Sequence, residues 1–182
     1  MNSEAHRILA LAAPGSVEAG LGKLQAALFQ QHGLASAEAL PPLIPVAFLP
    51  REAPTRGLLG SLNDSVRAPW RIRIAGWEWA GEYLFVGADS AGMWAALRAR
   101  TIERCGPEPR VLFPVREGFF MGCAEATPAQ RDAMRPAVLP AVFSSSDLVL
   151  LAIECPRGRD AWWRELYWEI VEQRPLRGRR ER

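Results

Sequence analysis

Histidine is almost missing from this 182-residue chain, which holds only His6 and His32. No H-E-x-x-H or other ligand spacing can be built from two such separated residues, so a histidine-based zinc site is not expected. Cysteine is scarce as well. Cys105, Cys123 and Cys155 are odd in number, widely spaced and free of any C-x-x-C pair, which argues against both a disulfide framework and a thiolate metal site. Neither sign of charge is in excess, with 22 basic and 20 acidic residues for a net charge of +2. No whole-molecule field therefore draws the protein onto nucleic acid, and any such affinity would need a local patch. Lysine is reduced to Lys23 alone, a bias that reads first as composition and only weakly as phosphate recognition. Long apolar runs are missing too: the stretch 8–13 stops at Pro14-Gly15, too soon for a signal peptide or a membrane span.

What remains is the composition of a globular protein, 49% apolar and 23% charged, with a reducing cytoplasm as its expected setting. No linker-like stretch interrupts it. One compact unit of two lobes is expected over 1–176, followed by a basic tail at 177–182. No cofactor and no metal are expected, and no membrane partner.

Strand and helix periods alternate along the chain. Residues 8–13 form a continuous apolar run closed by Pro-Gly, as a buried strand would. Ser16 offers a helix cap, and Val17, Leu21, Leu24 and Leu28 mark one helical face that His32-Gly33 can end. A second buried strand spans 43–49 and stops at Pro50. The same order returns later: a strand at 83–88, a helix capped by Asp89 or Ser90 with Trp94, Leu97, Thr101 and Cys105 on its buried face, and a strand at 118–124. Leu43 follows Ile8 by 35 positions, and Gly118 follows Tyr83 by the same 35, a hint of two related lobes. Trp70, Ile72 and Ile74 alternate with Arg71 and Arg73, giving a strand with one buried face. A buried run at 148–153 and an alternating strand through Leu166, Trp168 and Ile170, stopped by Pro175, complete the sheets. Short helices are expected at 57–66 and 127–134, and a turn at Ser144-Ser145-Ser146-Asp147.

The segments Ile8-Leu-Ala-Leu-Ala-Ala-Pro14, Pro42-Leu-Ile-Pro-Val-Ala-Phe-Leu49, Trp70-Arg-Ile-Arg-Ile-Ala-Gly76, Tyr83-Leu-Phe-Val86, Gly118-Phe-Phe-Met-Gly-Cys123 and Glu165-Leu-Tyr-Trp-Glu-Ile-Val171, in that order, resemble the 2H phosphoesterase superfamily, which includes 2'-5' RNA ligases and cyclic nucleotide phosphodiesterases. The resemblance spans nearly the whole chain. It implies an α+β fold of two pseudo-symmetric lobes, with antiparallel sheets, helices outside and a groove between. In that family each lobe contributes a His-x-Thr/Ser motif. One imidazole takes a proton, the other gives one, and the hydroxyls hold phosphoryl oxygens. The matching positions here are Leu43 and Pro45 in one lobe and Gly118 and Phe120 in the other, so all four side chains of that chemistry are missing.

Other polar residues remain as ligand-binding candidates. Arg116 and Glu117 precede the second groove strand and form either a fork for a phosphate or a solvated pair. Cys123 is either a nucleophile or core packing. Arg71 and Arg73 either line a basic groove or face solvent. His6, ahead of the first strand, and His32, at a helix end, sit where ordinary structural roles suffice. Among the seven tryptophans, alternation places Trp70 and Trp168 inside and leaves Trp77, Trp79, Trp162 and Trp163 as stacking platforms. The signatures of P-loop, Rossmann and nucleophile-elbow enzymes are absent. The leading expectation is a non-catalytic relative that binds a small phosphorylated ligand, an RNA end or a protein partner in the groove. The alternatives are an enzyme of altered chemistry using Arg116, Glu117 or Cys123, and an interaction module whose groove is filled.

Overall fold

Apolar strands bounded by prolines and glycines pair here into two four-stranded antiparallel sheets, seen in a computed structural model that describes residues 3–66, 69–109, 111–134, 141–144, 146–156 and 161–177. The first sheet contains β1 (Ser3–Ala12), β2 (Leu43–Leu49), β7 (Asp147–Pro156) and β8 (Tyr167–Pro175) in the order β2-β1-β7-β8. The second contains β3 (Ile72–Ala80), β4 (Tyr83–Asp89), β5 (Gly118–Phe120) and β6 (Val142–Phe143) in the order β5-β4-β3-β6. The α+β arrangement expected from the sequence is the one observed. The basic tail lies outside the described residues from 178 onward. Among the described residues no helix is long and apolar enough to cross a membrane.

Several boundaries differ from the periodicity, each for a backbone reason. β1 starts at Ser3 because its ladder with β7 continues from Ala12 opposite Asp147 to Ser3 opposite Pro156; hydrogen bonding needs no apolar side chains, so His6 lies inside the strand. α1 (Gly15–His32) starts before Ser16, with Pro14 in the capping position and no side-chain cap. It ends as expected at Gly33, whose φ of 70° lets its N–H reach the Phe29 carbonyl. α3 (Met93–Cys105) begins beyond Asp89 and Ser90, although the Ser90 hydroxyl still accepts the Trp94 N–H at 2.9 Å. β5 is only three residues long. The chain turns out of it because Gly122 and Cys123 adopt φ of 67° and 66°. β6, two residues long, is too short for any alternation to reveal. The expected short helices are α2 (Leu58–Asn63) and α4 (Pro128–Ala133), the latter closed by a Thr127/Gln130 capping box.

The connecting helices cross between the sheets. α3, which links two strands of the second sheet, packs on β2 of the first. There the Trp94 indole donates to the Pro45 carbonyl at 2.9 Å and Arg98 donates to the Val46 carbonyl at 2.7 Å. α1, which links two strands of the first sheet, shares an apolar cavity of about 160 Å³ with the second: Leu21 and Leu24 line it together with Ile74, Trp77 and Val86. Each sheet thus packs a helix from the other strand-helix-strand unit, and residues of both units share the core cluster these helices enter.

His6 is a buried exception. Its Nε2 has no hydrogen-bond partner, its ring meets the edge of Phe48, and the Glu4 carboxylate lies 3.9 Å away. Burial holds its pKa below 6.5, and Glu4 only partly opposes this. The unfolded chain therefore binds a proton more readily than the folded one. Stability from a neutral His6 is complete above pH about 6.5 and declines as the pH falls from there towards the lowered folded value. In denaturant unfolding at pH 7.5, 6 and 5, the wild type is expected to lose more stability on acidification than His6→Phe. Equal slopes for the two proteins would refute this origin.

Candidate functional site

The two strands matched to the phosphoesterase motifs do come together: β2 and β5 lie against each other. What lies between them is core. Leu43 is 2% exposed and Phe120 1% exposed, and both belong to one cluster with Ile8, Phe48, Tyr83, Phe85, Phe113 and Trp162. Phe113 stacks on Phe120 with ring centroids 4.1 Å apart, and Trp162 packs against both, 5.7 Å from Phe113 and 6.3 Å from Phe120. Phe85 meets Phe120 edge-on at 5.6 Å. Alternation and one bulge explain this wall. Tyr83 and Phe85 share a face of β4 with Phe120 across from Phe85 on β5, and the register shift of β2 opposite Leu9 and Ala10 brings Leu43 and Phe48, an odd number of positions apart, to the same inter-sheet space.

Hydrogen-bonding capacity in this space is already used. The Trp162 indole N–H donates to the Tyr83 hydroxyl at 3.1 Å, which donates onward to the Leu112 carbonyl at 3.1 Å. Burial, above all, pushes the Tyr83 phenol pKa up, so the group stays a neutral donor. Gly118 offers no space either. A Cβ there would stand 2.9 Å from the Val86 carbonyl oxygen, so the backbone has no place for a histidine at this motif position. Pro45 is buried, with its carbonyl taken by Trp94.

The remaining candidates divide between structural use and exposure. Glu117 accepts the Ser90 N–H at 2.6 Å and the Ser90 hydroxyl, and that hydroxyl in turn accepts the Trp94 N–H. The carboxylate thus secures the start of α3 through Ser90, where Gly92 supplies no side-chain cap. Arg116 is exposed beside it. Arg73 pairs with Asp89 at 2.8 Å across β3 and β4, and both side chains are largely exposed. The Ala91 N–H and Arg73 hold the Asp89 carboxyl below the usual carboxylate range. Arg71 is exposed just ahead of β3. The Ala88 N–H donates to the Glu117 carbonyl at 2.9 Å, so the register brings Arg73, Asp89 and the Arg116-Glu117 pair to one end of the second sheet. Cys123 is fully buried, and burial, with help from Glu125, pushes its thiol up to about 12. It is a protonated packing group at neutral pH.

The expected stacking platforms are largely covered. Trp162 is at the centre of the aromatic cluster, Trp77 and Trp163 are half-buried, and Trp79 lies beneath the Arg131 guanidinium at 4.9 Å. Trp168, expected inside, is half-buried, because β8 is a sheet edge.

Sequence reasoning missed two polar clamps. In one, Glu125 accepts the Ser36 N–H at 2.8 Å and the Ser36 hydroxyl, while that hydroxyl accepts the Ala124 N–H at 3.0 Å. In the other, Glu108 accepts the Phe48 N–H at 3.0 Å and pairs with Arg98. Ser36 is 89 positions from Glu125 and Phe48 is 60 from Glu108, and a lone Glu in a loop gives no sign of such a role. Among the described residues no group of three or more His, Cys, Asp or Glu side chains is placed to hold a metal.

No protein-family model matches the chain, and no curated protein matches it. Solved structures do. TT0787 of Thermus thermophilus superposes with a TM-score of 0.53 and 19% identity over 95% of this chain and 98% of that one. LigT of E. coli complexed with 3'-AMP gives 0.55 and 12% identity over 96% and 99%, and its apo form gives 0.56 and 14% over 97% and 99%. The chain has the LigT-like α+β fold over nearly its whole length, and at these identities the likeness is one of fold.

Proposed function

We propose that this protein is a non-catalytic relative of the 2'-5' RNA ligase-like phosphoesterases, whose inter-lobe groove has become core and which acts by holding another protein chain. The observation that carries this reading is the aromatic stack of Phe120, Phe113 and Trp162 where a phosphoryl group would have to sit. A phosphate entering there would lose its hydration and meet no free donor, at a cost of several kcal/mol or more. The chemistry is missing as well. General acid–base catalysis contributes roughly 10²- to 10⁴-fold per positioned group, and positions 43 and 118 carry Leu and Gly.

Purified protein is expected to show no hydrolysis of 2',3'-cyclic nucleotides, no joining of 2'-5' ends, and no calorimetric binding of AMP or short RNA at low salt. Turnover that survives repurification would overturn the non-catalytic reading. The exposed Arg71, Arg73 and Arg116 favour a second reading, in which the second sheet's end takes a phosphorylated ligand. Nucleotide binding that weakens steeply with salt and is lost in Arg116→Ala would establish that reading instead.

A further inference from the structure

The first sheet has two outer edges, and the chain treats them differently. Along β2 the edge is closed by side chains of the second unit: Trp94 takes the Pro45 carbonyl, Arg98 the Val46 carbonyl, and Glu108 the Phe48 N–H. Along β8 nothing among the described residues pairs with the outer edge. This strand is nine residues long, and it exposes Tyr167 (62%), Ile170 (48%) and Val171 (54%). Short length, lysines and mid-strand prolines are the usual protections of a free edge. β8 has none of these three; its protections are the irregularity opposite Leu150 and Leu151, a terminal Pro175, and the charges of Glu169, Glu172 and Arg174.

Charge selects the occupant. Glu169 and Glu172 lie within the apolar strip, and Glu154 stands directly across from Tyr167 on β7. None of the three is in an ion pair among the described residues. Arg174 is the one cation of β8, so these three carboxylates outnumber it, and a second copy would add a further excess of like charge at the edge, which is unfavourable for close cross-strand neighbours. An extended segment alternating aliphatic residues with Arg or Lys would complete the backbone ladder, cover Ile170 and Val171, and neutralise the carboxylates together.

We propose that β8 docks an extended basic and aliphatic segment of a partner protein as a fifth strand of the first sheet. This rests on the reading of the protein as a holder of another chain and names the class of segment it holds.

The test uses the full chain and a labelled peptide of about ten residues alternating Val and Lys, followed by fluorescence anisotropy at low salt. Binding is expected for this peptide and not for its Val/Glu counterpart. N-methylation of the basic peptide at alternate residues should weaken it at least roughly ten-fold, because the ladder loses its donors. Glu169→Lys combined with Glu172→Lys should weaken it by a similar roughly ten-fold factor while leaving the thermal midpoint in place. The proposal is overturned by no binding of the basic peptide, by equal binding of its N-methylated form, or by a dimer in sedimentation that Ile170→Lys dissolves, since that would make a second copy the occupant. Peptide failure without nucleotide binding removes only the docking strand. Turnover or Arg116-dependent nucleotide binding removes the functional reading itself.

Discussion

Phe120→Ala is expected to lower the unfolding free energy by about 3–5 kcal/mol, the range for deleting a fully buried aromatic side chain. Its ring touches Phe113, Phe85, Tyr83 and Trp162, with centroids between 4.1 and 6.3 Å. Truncation removes the transfer term and leaves a cavity that aromatic packing from several sides prevents from collapsing. Urea unfolding of wild type and variant, with matched slopes, measures the difference. A loss under about 1 kcal/mol, as for a side chain facing a solvent-filled groove, would show that the inter-sheet space is open and would remove the main support for a non-catalytic protein.

Gly122→Ala should be comparably severe for a different reason. At φ of 67° an alanine is already strained, and its Cβ would run into the Ser36 carbonyl and stand 2.9 Å from the Ala37 nitrogen. These are backbone atoms of the short 3₁₀ turn Ala35–Glu38, so no side chain can swing aside to relieve the contact. The turn must move, and with it the buried Ser36–Glu125 clamp. Each unsatisfied buried polar group costs about 1–3 kcal/mol in addition to the backbone strain. The expected total is on the order of 3 kcal/mol or more, read as a large fall in the unfolding midpoint. Glu125→Gln, which keeps the shape and part of the hydrogen bonding, should cost less. The reverse ranking would mean that the clamp, not the close approach of the two backbones, holds this corner together.

Both substitutions lie where the chain folds back on itself, and this marks the limit of what the sequence shows. The strand at 43–49 is legible to the residue, because an apolar run of that length, broken only by Pro45 and bounded by Pro42 and Pro50, fits a buried strand better than a helix. The α1 stop at Gly33 is legible from glycine chemistry. The end of β5 is not, since nothing in Met121-Gly-Cys123 announces that a cysteine will take a positive φ. Trp162 reads as an exposed platform because it belongs to no periodic segment. It is instead a centrepiece of the core, carried there by the 3₁₀ turn Trp162–Glu165 and held by Tyr83, 79 positions away.

Local order is what the sequence by itself determined: alternating strand and helix periods, the repeated 35-residue spacing, and the identities Leu43, Pro45, Gly118 and Phe120 at the positions matched to the phosphoesterase motifs. Those are properties of neighbours along a chain, set by side-chain periodicity and residue identity. Tertiary structure alone decided whether the space between the motif strands is a groove or a core, that Glu117 secures a helix and Glu125 a turn, and that the outer edge of β2 is covered while that of β8 has no strand partner among the described residues. The physical reason is that burial, hydrogen-bond satisfaction and edge protection depend on residues tens of positions apart. A phenylalanine reads the same in a sequence whether it faces water or the stacked ring of another.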